Sequence, residues 1–218
     1  MGNFEEIVLF QGDSITDCGR DREAPESLGR GYPLIVAGTL SNRYLDREFS
    51  FINRGIGGNR VKDLEARWDT DCIALKPSLV SILIGINDTW RRYDKNDPIS
   101  VDEFESTYRR ILTRVRDETK ARIILLEPFL LPVRAELERY REDLDPKIHA
   151  IRKLSREFGT LYVPLDGLFA AACVRQTPSY FARDGIHPTP VGHGLIAKAW
   201  MDTATAYYGN CCYRGDKT

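Results

Sequence analysis

The chain has 218 residues, 42% of them hydrophobic, enough to bury a full core, and it is expected to form one domain over residues 1–218, with a peripheral tail from about 209. Its 31 Lys and Arg nearly cancel 32 Asp and Glu, and the net charge of -1 offers no electrostatic footprint for nucleic acid or an anionic membrane surface. That balance makes the expected partner small or neutral, and no apolar run is long enough to span a bilayer.

The N-terminal MGNFEEIVLF has no cationic segment before its short apolar run and no small-residue cleavage site, so it reads as a strand rather than a signal peptide. Cys18, Cys72, Cys173, Cys211 and Cys212 form no CxxC pair, and an odd, scattered set fits reduced thiols in a cytoplasm better than a disulfide framework. Cys211 and Cys212 fall in a polar tail with no structural role expected.

Ile7 to Phe10 reads as a short strand buried on both faces, broken by Gly12. Residues just past such a strand lie at its carboxyl end, where open α/β sheets keep their chemistry, and this delivers the Ser14 hydroxyl to a crevice. The segment from Thr16 to Gly31 reads as a loop leading into a helix from Tyr32 to Tyr44. Phe49 to Asn53 is a second strand, and the glycine-dense turn 54–59 opens a helix from Val61 to Leu75 that stops before Pro77. Leu79 to Ile86 is the third strand, capped by Asn87 and Asp88.

Trp90 to Pro98 is expected as a loop. Ser100 and Glu103 then stand at capping-box spacing before a helix that buries Phe104, Tyr108, Ile111, Leu112 and Val115. Ile123 to Leu126 is the fourth strand, and Pro128 to Asp145 is an irregular or partly helical connection. Ile148, Ile151, Leu154 and Phe158 mark an amphipathic helix closed by Gly159, and Leu161 to Leu165 is the fifth strand. The last helix begins near Pro190 and turns Val191, Leu195, Ile196, Ala199 and Trp200 toward the core. Strands and helices alternating at this rhythm predict an α/β fold whose parallel sheet is covered on both sides.

A serine hydroxyl attacks only when a base takes its proton, and that base must be held in one tautomer by an acceptor. His187 is the histidine with a carboxylate at fixed short spacing, since a turn over Asp184-x-x-His187 can bring the Asp oxygen to Nδ1 and leave Nε2 for Ser14; taken alone, the motif reads equally as Asp184 capping the last helix with His187 on the surface before Pro188. His193, inside the helix start, and His149, with no paired acid, read as structural. The oxyanion formed on attack needs donors fixed in place, and three candidates lie at strand ends: the Ser14 N–H, a glycine N–H from the 55–58 turn and the Asn87 side-chain amide. Asp88 reads as structural.

The chain resembles the SGNH hydrolases, also called GDSL lipases and esterases, whose four blocks stand here in order as Gly12-Asp13-Ser14-Ile15, residues 53–59, Gly85-Ile86-Asn87-Asp88 and residues 184–188. The resemblance covers nearly the whole chain. It implies a flavodoxin-like three-layer α/β/α sandwich with a five-stranded parallel sheet, Ser14 as nucleophile, His187 as base and Asp184 as its partner. It also implies an oxyanion hole of Ser14, Gly58 and Asn87, with no cofactor and no metal. Gly58 is preferred because the family's donor is the glycine just before the polar residue, here Asn59, with Gly57 left open. The family's usual Leu is Ile15 here, a change that adjusts packing only.

Within the family, GDSITDCGR, GINDTWRRYD and DGIHPTPVGH are similar to cytoplasmic acetylxylan esterases and related carbohydrate acetylesterases. This implies acetylated xylo-oligosaccharides as substrates and a homo-oligomeric state; general carboxylesterase, thioesterase and lysophospholipase activities are the alternatives within the family. Trp90, Arg91 and Tyr93 follow Asn87, placing an aromatic face and a cation where a sugar could stack; the plainer account packs Trp90 and Tyr93 in their loop or a subunit contact. No long apolar lid is visible, against long-chain lipids.

Two other classes compete. Asp13, Asn87, Asp88, Asp184, His187 and His193 are metal-competent, yet a metallophosphoesterase would carry Asp-x-His after the first strand, and serine stands there instead. A nucleotide-binding module would need a third glycine where Arg60 stands. An α/β-hydrolase elbow would need glycine where Thr16 stands.

Overall fold

The computed structural model describes residues 6–211, without the side chains of 206, 207 and 209–211. The expectations for Cys211, Cys212 and the tail beyond therefore lie outside the described side chains. Five strands, β1 (Glu6–Gly12), β2 (Phe49–Asn53), β3 (Leu79–Leu83), β4 (Arg122–Leu126) and β5 (Leu161–Val163), form one all-parallel sheet in the order β2-β1-β3-β4-β5. The register runs Phe10 beside Asn53 and Ser81, and Ser81 beside Ile124.

Alternate residues of the strands supply two separate cores, because side chains along a strand point to opposite faces. Val8, Phe10, Leu79, Leu83, Ile124 and Leu126 face α2 (Tyr32–Arg43) and α10 (Pro190–Cys211). Leu9, Val80, Ile82, Ile123 and Leu125 face α3 (Val61–Ala66), α6 (Val101–Glu118) and α7 (Arg141–Phe158). β3 is buried throughout. On the α10 side its one polar residue, Ser81, accepts the Trp200 Nε1–H at 3.0 Å, so neither group is desolvated without a partner.

The chain turns from β2 on one side of β1 to β3 on the other, and this reversal opens a crevice at the carboxyl ends of the strands. There a single helical turn, α1 (Ser14–Asp17), follows β1, where a loop was expected from Thr16. Asp13 caps it, its Oδ1 accepting the Ile15 N–H at 2.9 Å.

Other boundaries also move. The helix expected over 61–75 breaks into α3, α4 (Trp68–Asp71) and a 3-10 turn at Ile73–Leu75. The break buries Trp68 completely and sends the Arg67 guanidinium back to Asn59, Gln11 and Asp71. Strand β3 ends at Leu83 rather than Ile86, because Gly85 at φ 132° turns the chain directly into α5 (Ile86–Asp94), where a loop had been expected from Trp90.

Ala135–Tyr140 forms a 3-10 turn, and α7 starts at Arg141, passing through Pro146 with Leu144, Lys147 and Ile148 buried. β5 stops at Val163. Leu165 instead opens α8 (Leu165–Cys173), which with α9 (Pro178–Phe181) fills a stretch that hydrophobic periodicity does not announce. Phe169 of α8 packs on Phe129 with ring centres 4.3 Å apart. Ile196 and Trp200 of α10 reach the core as expected, but Val191, at its first turn, is 42% exposed.

Candidate active site

Three strand ends and one late turn meet at the crevice. Ser14 follows β1, Gly58 the turn after β2, and Asn87 the start of α5 after β3. The 184–188 turn precedes α10 and is tied down by the Leu131 N–H, which donates to the Gly185 carbonyl at 2.9 Å. Together they line an open cleft of about 280 Å³ that also takes in Trp90, Arg91, Arg134 and Ile186.

His187 Nε2 lies 3.0 Å from Ser14 Oγ and its Nδ1 lies 2.6 Å from Asp184 Oδ2. With Nδ1–H donating to the carboxylate, Nε2 is left to accept the serine proton. The other Asp184 oxygen accepts the backbone N–H groups of Ile186 at 2.9 Å and His187 at 2.8 Å, so one carboxylate shapes the turn and orients the ring. Burial pushes the Asp184 pKa up, but the hydrogen bonds from the His187 ring and the two backbone N–H groups outweigh it and hold the carboxyl below its ordinary range.

Gly58, the preferred oxyanion donor, and Gly57, the alternative, differ in their surroundings. The Gly57 N–H donates to Asp17 Oδ2 at 3.2 Å and is thereby engaged. Gly58, at φ 82°, borders the cleft, in a conformation that a side chain at this position would strain. Asn87 Nδ2 donates one proton to the Asn59 carbonyl at 3.1 Å, which orients the amide and leaves its second proton without an acceptor among the described residues. Asn53 is fully buried and staples the preceding loop, donating to the Thr16 and Leu28 carbonyls and accepting the Gly55 N–H.

Under this exposed surface lie two buried carboxyls. Burial drives Asp13 up to about 7, against the Ile15 N–H and the His187 charge, and its Oδ2 has no hydrogen-bond partner among the described residues. Burial likewise drives Asp88 up to about 7, against the Val61 N–H, which it accepts with both oxygens, and the Lys147 and Arg60 charges. Asp88 thus anchors α3.

His193 Nδ1 accepts the Tyr32 N–H at 3.1 Å and its Nε2 lies 3.2 Å from Cys18 Sγ, a hydrogen-bonded role inside the fold. His149 is exposed on α7. Among the described residues, no group of three or more His, Cys, Asp or Glu side chains is placed to hold a metal ion.

Of the three residues expected to meet a sugar, Trp90 and Arg91 line the cleft. Tyr93 does not. Its ring stacks on Tyr140 at 3.9 Å, and its hydroxyl lies 3.0 Å from both the Arg139 carbonyl and Glu142 Oε1, so it joins α5 to α7. Arg134 enters the cleft from the segment read as a connection, where no motif or periodicity marks it.

The chain matches the GDSL-like Lipase/Acylhydrolase family over residues 10–195. It is 38% identical over 204 residues to the acetylxylan esterase of Geobacillus stearothermophilus, covering 90% of this chain and 92% of that one. A crystal structure of that esterase superposes with a TM-score of 0.84 at 37% identity, over 93% of this chain and 96% of the other. A Parabacteroides merdae protein assigned as a GDSL-like lipase superposes with a TM-score of 0.88 at 37% identity, over 92% and 97%. Sequence blocks, sheet order and relatives agree, and the chain belongs to the GDSL-like lipase/acylhydrolase family.

Proposed function

We propose that the protein is a serine carboxylic-ester hydrolase that removes short acyl groups, acetyl above all, from xylo-oligosaccharides or related sugars. The observation that carries this reading is the continuous path from Ser14 Oγ through the His187 ring to Asp184, with contacts of 3.0 and 2.6 Å, open to an exterior cleft. Ser14 attacks the ester carbonyl while His187 Nε2 takes its proton. Asp184 stabilises the imidazolium that forms. The oxyanion is met by the Ser14 and Gly58 N–H groups and the free Asn87 amide proton, donors whose individual removal costs about 10²- to 10³-fold in related chemistry.

His187 then protonates the departing sugar alkoxide, the sugar leaves, and water repeats the sequence on the acyl-enzyme, freeing acetate and Ser14. No cofactor takes part. A cleft of about 280 Å³ suits a small acyl group with one sugar ring better than a long chain. Trp90, with Tyr140 edge-on to it at 5.0 Å, supplies a held aromatic surface for that ring. The free thiols of Cys18, Cys72 and Cys173 support a reducing, cytoplasmic setting, and family resemblance supports a homo-oligomer.

The test is a hydrolysis panel of acetyl, butyryl and longer-chain esters beside acetylated xylo-oligosaccharides, run with and without EDTA. Acetyl esters are expected to give the highest kcat/KM, with no response to the chelator. Turnover of lipid esters with acetylated xylose ignored would remove the sugar substrate, and loss of activity to EDTA would point to metal chemistry.

A further inference from the structure

Arg91 and Arg134 both border the cleft that holds Ser14, and their electrostatic states differ. The Arg91 guanidinium is paired with Asp94 through Nη1, which offsets its charge. The exposed Arg134 guanidinium has no carboxylate or hydrogen-bond partner among the described residues. Asp184, the carboxylate on the lining, is already committed to His187 and to two backbone N–H groups. Glu138, on the same 3-10 turn as its neighbour Glu136, lines a different cavity with Leu130, Leu131 and Cys173.

The placement of Arg134 is also set by the catalytic turn itself. The Leu131 N–H donates to the Gly185 carbonyl and the Val133 N–H to the Leu131 carbonyl at 2.8 Å, so the segment ending at Arg134 is tethered beside His187. A neutral acetylated xylose offers such a cation only hydroxyl oxygens. A carboxylate matches its planar fork with two parallel hydrogen bonds and opposite charge.

We propose that the cleft selects acetyl esters on acidic oligosaccharides, those bearing a uronic-acid carboxylate near the acetylated sugar, and that Arg134 is the specificity-determining residue that reads this carboxylate. This rests on the esterase reading above and names its substrate class more narrowly. Because the guanidinium is solvated, the preference is moderate and weakens with salt.

The experiment measures kcat/KM for an acetylated xylo-oligosaccharide carrying a glucuronic acid branch and for the same molecule with that carboxyl reduced to the alcohol. The acidic form is expected to be favoured about 3- to 10-fold at low salt, mainly through KM, and less in 0.5 M NaCl. Arg134→Gln should bring the ratio of the two substrates close to one, and Arg134→Lys should keep part of it; the ratio cancels any general effect of either variant. Equal rates on the two forms, or a preference that survives Arg134→Gln, would overturn the proposal and leave the esterase standing. Failure to cleave any ester in the panel would bring down both.

Discussion

His187 and His193 stand six residues apart, and each reaches back across the fold to a side chain that could act as a nucleophile, Ser14 and Cys18 respectively. The partners of the two rings are opposite in kind. His187 Nδ1 faces the Asp184 carboxylate, so the ring can carry positive charge while Nε2 receives a proton. His193 Nδ1 accepts the Tyr32 N–H, which fixes the proton on Nε2 and leaves no site for a second one unless that bond breaks. Burial, then the charge of His187, lowers the His193 pKa to about 4. A nucleophile beside an imidazole is therefore not a catalytic pair by proximity: the group on the far nitrogen decides whether the ring moves protons or caps a helix.

Removing the Ser14 hydroxyl, the proposed nucleophile of the first pair, is the strongest way to break this comparison. Ser14→Ala should lower kcat by about 10³-fold or more while shifting stability by less than about 1 kcal/mol, because Ser14 is only half-buried and its loss opens no core cavity. Steady-state hydrolysis of an aryl acetate beside a urea melt measures both. Retention of more than a few per cent of turnover would take Ser14 out of the chemistry.

Much of the candidate site was legible because the residues that meet there sit in short segments at strand ends, where a glycine or a turn residue follows an apolar run. Ser14 after β1 and the Asp184-x-x-His187 spacing needed no knowledge of distant contacts. What stayed hidden depended on partners far along the chain. Tyr93 fits either a sugar platform or plain packing by its sequence, and only the distant Tyr140, on which it stacks, selects packing. The start of α5 was masked because Ile84 and Ile86 prolong the apolar pattern of β3 across Gly85, whose φ of 132° is not written in hydrophobicity. Arg134 gave no signal at all, because a cation in an aperiodic segment, without a carboxylate partner among the described residues, becomes meaningful only when the fold sets it beside Ser14.

The second pair should answer to stability instead of turnover. His193→Ala orphans the Tyr32 N–H at the start of α2, an expected loss of about 1–3 kcal/mol, with kcat/KM falling less than about tenfold. The loss should also depend on pH. A histidine whose folded pKa lies near 4, below its ordinary 6.5, contributes stability that is fully present above 6.5 and is lost as pH falls through 4. Urea melts of both proteins from pH 4.5 to 7.5 should thus show the gap widening upward. A constant gap would mean that His193 titrates normally, and a kcat loss matching Ser14→Ala would place it in the catalytic machinery.

The smallest change probes the sulfur itself. Cys18→Ser replaces one acceptor for the His193 Nε2–H with another, and the Cys18 backbone N–H still donates to the Ser14 carbonyl at 2.9 Å, which keeps the α1 turn closed. Burial, the largest influence on the Cys18 thiol, raises its pKa and works against a reactive thiolate. Stability should therefore move by less than about 1 kcal/mol and kcat/KM by less than about twofold, read in the same two assays. The variant separates the two pairs by chemistry alone, since it keeps every backbone contact and the hydrogen bond to His193. Were it to abolish hydrolysis, the thiol would have a part in acyl transfer that the His193 tautomer denies it, and the division of labour between the two rings would fall.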